Sequence, residues 1–396
     1  NGKVSRIMPS NSKNLAELLN TDSTVAAGDV ADGSITTAKL ADGAVSTAKV
    51  ADNAITSAKA INLGRRNLIV NGDMRINQRV GPYTATGYTL DRFNVAKSNF
   101  DELVIAITKD TDNPSGNGFA SSLKLAVTTA ETGTLASDEL LYLDHRFEGQ
   151  NLQHLCYGTS SAKSLTLSFW VKSPLAGKHS VNFYTAPVRN NLQAYTVSSA
   201  NTWEKKTITI AGDQTGALTN DNSAQMILFW PLAGGDNFHG TPHSGWGAYD
   251  ATNDFMFSDQ VNLAGQTGNF YITGVQLEVG TVATDFEHRP VGEEVAICKR
   301  YYNRLGDYKL RERNQARTSQ NPDFQHNIWF PTMRGAPTIN TYQNSTYSTS
   351  GVNYNNAVAL AFSNITESSA ISSIDSSTAG AGVYSAQCFI ELVQEL

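Results

Sequence analysis

The stretch Gly234-Gly-Asp236-Asn237-Phe238-His239-Gly-Thr-Pro-His243-Ser-Gly-Trp246-Gly-Ala-Tyr249-Asp250-Ala-Thr-Asn253-Asp254 sets aromatic rings among amides and carboxylates in a glycine-rich background. Sugar recognition needs that mixture: flat apolar faces for the C–H side of a pyranose ring, and amide or carboxylate groups for its hydroxyls. Trp246, Tyr249 and Phe238 are the candidate stacking platforms, with Asp236, Asn237 and Asp250 as hydroxyl partners. The stretch exceeds the ~12–15 residues at which structureless loops become uncommon, and loops of that length are usually functional or disordered. A competing role for Trp246 and Phe238 is to pin the loop to its own domain or to a neighbouring subunit. Trp170 and Tyr184 join the candidates because they alternate with the apolar sets around Leu165/Phe169 and Val181/Phe183, which puts them on the opposite strand faces. Trp203 and Trp230 read as core.

Hydrolysis of a glycosidic bond would need two carboxylates roughly 5 Å or 6.5–9.5 Å apart across a cleft. The nearest clusters in sequence are Asp144 with Glu148, and Glu278 with Asp285 or Glu287. His239 and His243 with Asp250 are weak metal-ligand spacing. There is no nucleotide-binding glycine motif and no Gly-x-Ser-x-Gly elbow. The expectation is a non-catalytic chain with no metal and no cofactor.

The elements that must carry these side chains read as strands. Ser164-Leu165-Thr166-Leu167-Ser168-Phe169-Trp170-Val171-Lys172 alternates cleanly, with Leu165, Leu167, Phe169 and Val171 on one face. Further strands are expected at 122–127, 181–184, 206–210, 226–230 and 270–279. Many short strands without intervening helical patterns point to a sandwich or jelly roll. Glu293 to Tyr302, with acids first and bases last, predicts a short helix. Beyond it β texture returns, with Phe324, Ile328, Trp329, Phe330, Val358, Leu360, Phe362 and Phe389 available for a small core.

Three decads precede all of this: Ala31-Asp-Gly-Ser-Ile-Thr-Thr-Ala-Lys-Leu40, Ala41-Asp-Gly-Ala-Val-Ser-Thr-Ala-Lys-Val50 and Ala51-Asp-Asn-Ala-Ile-Thr-Ser-Ala-Lys-Ala60. Within them Val30, Ile35, Leu40, Val45, Val50 and Ile55 recur every fifth place. On an α-helix a five-residue step turns about 140° beyond a full circle, so these residues would make no stripe. Turns at Asp32-Gly33, Asp42-Gly43 and Asp52-Asn53 break each decad into a short extended layer. One chain cannot bury such a set alone, whereas several wound together can. The alternative is a flexible linker, which has no need of the fifth-place pattern. Upstream, Ser12 to Leu19 reads as a short capped helix that could seat the shaft.

With 396 residues the chain is too long for one compact domain. The boundaries expected are 1–28 for an N-terminal connector, 29–64 for the decad shaft, 65–291 for a jelly roll, 292–302 for a linking helix and 303–396 for a C-terminal β tip. The balance of 30 Lys+Arg against 36 Asp+Glu, a formal net charge of -6, argues against nucleic acid as a partner. The apolar stretch Met226 to Ala233 is far short of the ~20 residues of a membrane span. Cys156, Cys298 and Cys388 are an odd set without ligand spacing, so buried thiols are expected.

Linked motifs carry a family resemblance. Asn67-Leu-Ile-Val-Asn71-Gly-Asp-Met-Arg75-Ile-Asn-Gln78-Arg and Gly87-Tyr88-Thr-Leu-Asp91-Arg92-Phe93 open a module. Phe270-Tyr271-Ile272-Thr-Gly-Val275-Gln276-Leu277-Glu278-Val-Gly280 and Ala283-Thr-Asp-Phe286-Glu287-His288-Arg289-Pro290 close it. This resembles the module found in tail-fibre and receptor-binding proteins of tailed bacteriophages, and with the decads it covers most of residues 29 to 302. Its core also resembles jelly-roll carbohydrate-binding modules, although Thr273 and Gly274 stand where those modules often carry acids for structural calcium. The resemblance implies an elongated all-β homotrimeric fibre in the virion tail. Its N-terminal end would meet tail proteins, and it would attach without catalysis to a host-surface polysaccharide or lipopolysaccharide. It also implies a structural role for the Glu278/Glu287 cluster. The alternatives are a tail-associated polysaccharide depolymerase or deacetylase, and a purely structural fibre spacer.

Overall fold

The computed structural model describes residues 65–79, 83–84, 86–240, 245–250, 254–314, 324–344, 347–349, 352–354, 360–374 and 382–396. The N-terminal connector and the shaft positions Val30, Ile35, Leu40, Val45, Val50 and Ile55 therefore lie outside the described residues. What is described belongs to one compact unit, Gly64–Leu396.

Fourteen strands make its larger part. They are β1 (Gly87–Tyr88), β2 (Phe93–Ser98), β3 (Val104–Asp110), β4 (Ser122–Thr129), β5 (Leu140–Glu148), β6 (Leu165–Lys172), β7 (Gly177–Thr185), β8 (Arg189–Val197), β9 (Glu204–Ile210), β10 (Ala224–Gly234), β11 (His239–Gly240), β12 (Gly247–Ala248), β13 (Met256–Phe257) and β14 (Gly268–Val279). A seven-stranded sheet runs β1-β2-β5-β10-β7-β8-β12, and a five-stranded sheet runs β3-β4-β14-β6-β9. Neighbours distant in sequence, such as β5 with β10 and β4 with β14, give this sandwich its crossed connections. Alternation builds its interior. Leu165, Leu167, Phe169 and Val171 of β6 are all fully buried against Met226, Leu228 and Trp230 of β10 and their neighbours in one core. Phe169 bridges the two sheets edge-to-face, 5.9 Å from Trp230 and 5.1 Å from Tyr195 between ring centroids. Each large side chain buried this way contributes about 1.5–3 kcal/mol.

The opening and closing motifs meet, although two hundred residues of chain separate them. Asn67 accepts from the backbone N–H of Ile69 and Leu277 and donates to the Val275 carbonyl. Asn71, at φ 60°, folds its amide onto Ile76 and Asp91. Glu287 takes the N–H groups of Arg66 and Asn67, and Gln276 takes the N–H of Glu287. Arg289 donates to the carbonyls of Ile69 and Asn67 and pairs with Glu294. Gly72, in a turn of the opening motif, lets that turn pack directly on β14, since a Cβ there would overlap the Val275 carbonyl.

Pro290 then starts α1 (Val291–Cys298), which is shorter than the helix predicted over 293–302. Tyr301 packs under Arg92, and Tyr302 already opens the next strand. The C-terminal module holds β15 (Tyr302–Asn314), β16 (Phe324–Trp329), β17 (Thr338–Asn344), β18 (Tyr347–Thr349), β19 (Val352–Tyr354), β20 (Leu360–Ser363), β21 (Ser369–Ile374) and β22 (Gly382–Val393). Here β22 pairs with both β15 and β17, while β16, β21 and β20 form a three-stranded sheet. Its small core contains Ile328, Phe330, Met333, Ala370, Ile390 and Leu392, with Phe362 packed against it. Trp329, expected in that core, is instead 74% exposed, because strand alternation that buries Ile328 must turn its neighbour outward. The side chains of Phe324, Leu360 and Phe389, and all of Val358, lie outside the described residues.

The module docks on the sandwich through ion pairs, one of them fully buried. Arg92, 1% exposed, reaches Glu395 at 2.6 Å and stacks on Tyr301 at 3.6 Å. Arg300 reaches Glu148 at 2.9 Å. Burial pushes the Glu148 carboxyl up, but hydrogen bonds from Arg300 and Tyr301 outweigh it and hold the group below the usual range.

Two outcomes follow for stability. Gly72→Ala should cost about 1–3 kcal/mol by overpacking against a fixed backbone oxygen, read from the denaturant midpoint; an unchanged midpoint would show the two motifs do not meet. A folded pKa depressed below the unfolded one stabilises above the unfolded value and is lost as pH falls through the folded one. The wild type should therefore lose stability on acidification below the ordinary carboxylate range. Glu148→Gln should be weaker at neutral pH and flatter in that acid limb, checked by thermal melts across pH.

Candidate functional site

Alternation that fills the core also fixes what faces outward from the seven-stranded sheet. On β5, Leu141, Leu143, His145 and Phe147 point inward, leaving Tyr142, Asp144 and Arg146 on the outer face. On β10, Ile227 and Phe229 face out between Met226, Leu228 and Trp230. On β7, Asn182 and Tyr184 do so, alternating with Val181 and Phe183. Register aligns them in rows, Phe229 beside Asp144 and Asn182, Ile227 beside Arg146 and Tyr184.

The excursion after β10 returns across this face. It forms a turn at Asp236–Phe238, adds β12 to β8 at the sheet edge, and pairs β11 in parallel with β13. Asn182 and Asn190 donate to the Asp254 carbonyl at 2.9 and 2.8 Å, which fixes the returning strand over the sheet. Six rings then run in contact. Phe238 meets Phe255 at 6.2 Å, and Phe255 meets Tyr142 at 5.4 Å and Phe229 at 5.0 Å. Phe229 meets Tyr184 at 6.4 Å, and Tyr184 meets Tyr249 at 5.1 Å. All but Phe255 are only partly buried. Burial, then the neighbouring Tyr184, pushes the Tyr249 phenol up to about 12, and burial with Asp144 raises Tyr142. Both phenols are therefore neutral donors at ordinary pH. Burial also raises Asp144, against the pull of Arg146 at 3.0 Å and of the Asn94 amide. The surface is thus aromatic and hydroxylated, with its charges paired.

The expected site residues divide among four places. Tyr184, Tyr249 and Phe238 come together in the ring row. Asp236 and Asn237 stand exposed at one end, Asp236 with 94% of its side chain open and 3.1 Å from His239 Nδ1. Asp250 is exposed beyond Tyr249, its N–H donating to the Asp254 carboxylate. Trp246 sits at the sheet edge, where its indole N–H donates to the Ala211 carbonyl at 2.8 Å and its ring meets Tyr157 edge-on at 5.7 Å. Trp170 lies on the other sheet altogether, half-buried beside Thr273 and close to Gly274. Trp230 is in the core, and Trp203 is partly buried and donates to Asp112. Tyr142, Phe229 and Phe255 were not among the sequence candidates. The signal for Phe229 was its alternate place between Met226, Leu228 and Trp230, and for Tyr142 its place between Leu141 and Leu143.

The paired carboxylates are occupied by the fold. Asp144 and Glu148 are four places apart on one strand, about 13 Å at strand rise, and each meets its own arginine. Glu278 accepts from Gln276 and Thr284, and Glu287 caps Arg66 and Asn67. Thr273 donates to the Ser121 carbonyl, while Gly274, at φ +60°, packs against Phe119.

No protein-family model and no curated protein matches the chain. Among solved structures, it is similar to the enzymatically active domain of tailspike protein 4 of bacteriophage CBA120, at 12% identity and a TM-score of 0.31, over 54% of this chain and 21% of that one. It is similar to a family 11 carbohydrate-binding module of a cellulosomal cellulase from Clostridium thermocellum, at 14% identity and a TM-score of 0.26, over 52% of this chain and 99% of the module. A xylan-binding domain from Paenibacillus barcinonensis aligns at 9% identity with a TM-score of 0.25, over 56% of this chain and 99% of the domain. At such identities and scores no ligand or activity passes from these proteins to this chain.

Proposed function

We propose that this chain is a non-catalytic adhesin of a phage tail fibre, and that the outer face of its seven-stranded sheet binds a glycan of the host surface. The observation that carries this reading is the row of partly buried rings from Phe238 to Tyr249, bordered by the exposed Asp236, Asn237 and Asp250. Ring faces suit the C–H side of a pyranose, and neutral phenols suit its hydroxyls. The motif resemblance of residues 67–93 and 270–290 supports the fibre context. A trimer of such chains, several to a particle, would turn weak single sites into firm attachment through effective concentration.

Loss of Tyr184 and Tyr249 together, as Tyr184→Ala plus Tyr249→Ala, should weaken binding of the purified fibre to host cells by about tenfold or more, given ~0.5–1.5 kcal/mol per aromatic contact. Trp246→Ala should instead lower the melting temperature with little direct effect on binding. Undiminished cell binding by the double variant, at equal oligomeric mass in light scattering, would overturn the assignment of this face. Separately, Ile35→Asp with Val45→Asp should lower the oligomeric mass if the decads form a shaft.

A further inference from the structure

The outward face of the three-stranded sheet in the C-terminal module carries an open indole. Trp329 of β16 is 74% exposed, whereas every other aromatic ring among the described side chains is buried or partly buried. Its neighbours follow from register. Trp329 stands opposite Ser369 of β21, while Asn327, two places along β16, stands opposite Ile371, which in turn stands opposite Ser363 of β20. Residues paired in this way share a face, so the indole lies among the exposed Asn327 and Ser363 and the partly buried Ser369 and Ile371. The Ser369 hydroxyl is held in place, 2.8 Å from the Thr366 hydroxyl, which also accepts from the N–H groups of Ser368 and Ser369. A hydroxyl has one proton and two acceptor lone pairs, so Ser369 Oγ keeps acceptor capacity beyond its contact with Thr366. Two places along a strand is about 7 Å, so a sugar ring stacked on Trp329 brings its hydroxyls within reach of both Asn327 and Ser369.

We propose that this face is a second glycan contact, in which the C–H side of a pyranose stacks on Trp329 and its hydroxyls meet the Asn327 amide and Ser369 Oγ. A second copy of the chain fits the face less well. A stable interface between copies buries about 800 Å² on each partner around an apolar centre. Here one indole, a side chain that buries at most about 250 Å², stands beside a partly buried isoleucine among Asn and Ser. The other exposed large hydrophobics among the described residues are valines, none of them in this module. A flat ring bordered by neutral donors and acceptors is instead the complement of a pyranose, with C–H groups on its face and hydroxyls at its rim. The face shares no residue with the ring row on the sandwich, so the two sites are separable by mutation. The adhesin reading enters only for the origin of the sugar, a host-surface glycan.

The test is acrylamide quenching of tryptophan fluorescence in the purified fibre, with Trp329→Phe subtracted to isolate the Trp329 signal. Methyl β-D-galactopyranoside and methyl β-D-glucopyranoside are titrated in, against sorbitol, which has the hydroxyls without the ring. Trp329 is expected to be freely quenched in the sugar-free fibre, and Trp329→Phe to melt at the wild-type temperature. Saturable protection by at least one pyranoside is expected in the millimolar range, with none from sorbitol. Asn327→Ala should weaken it about fivefold, as loss of one neutral hydrogen bond does, at unchanged melting temperature. Absence of protection, protection by sorbitol alike, or protection that Asn327→Ala leaves unchanged would overturn the site. A Trp329 already shielded before any sugar is added would overturn it too, and would make another copy of the chain the occupant. Cell adsorption by a fibre whose Trp329 no pyranoside protects would sink this face while the adhesin reading stands. Protection in a fibre that does not adsorb to cells would support the face and sink that reading instead.

Discussion

The hydrogen-bond latch between the first and last motifs of the sandwich is the constraint on which the rest depends. A sheet of crossed strands has no local contacts to define where its first strand must lie, and its ends are the costliest part to order. Asn67 removes that freedom by satisfying backbone groups from both ends at once, while the Asn71 and Gln276 side chains brace the opening and the closing motif internally. Arg289 and Glu294 extend the same network into α1, so the start of the helix is set by the closing of the sandwich. Asn67, Asn71, Gln276 and Glu294 are buried, and each would be costly without its partners. The network is consequently all or nothing.

From that junction the direction of the C-terminal module follows. Arg92 is buried within the opening motif and therefore needs an anion, which Glu395 supplies from the far end of the chain. Glu148 on the sandwich is matched in turn by Arg300 just after the helix. A pair as deep as Arg92–Glu395 returns little net energy relative to apolar packing, yet breaking it strands a charge. Such pairs disfavour other seatings of the C-terminal sheet, because any arrangement that separates them strands a charge.

The ring row has a different origin. A sandwich whose core is made by alternation must present every second residue to the other side, and on β5, β10 and β7 those residues are Tyr142, Phe229 and Tyr184. Left bare they would form an apolar patch. The excursion after β10 covers part of it with Phe255 and Phe238 and leaves the remainder as a partly buried surface, so the same segment both protects and shapes the face.

Strand periodicity in 164–172 was enough to define the core side of β6, because alternation is a local property of extended chain, whereas 226–230 is apolar at every place and showed a strand without showing which face is buried. The all-β class, the short helix near 293 and the aromatic character of the 234–254 segment were legible for the same reason. Which outward faces share a surface was not. Trp170 and Tyr184 have equivalent local patterns, yet β6 and β7 belong to different sheets, and only long-range pairing decides that. Trp246 has the composition of a platform, but its indole N–H is held by Ala211, thirty-five residues away. The sequence by itself determined the alternation of each strand and the polarity of each segment, since both follow from neighbours along the chain. Tertiary structure alone decided that Asn67 meets Val275, that Phe255 lies on Tyr142, and that Arg304 and Asn340 flank Glu391, since pairing between distant strands is settled by the packing of the whole.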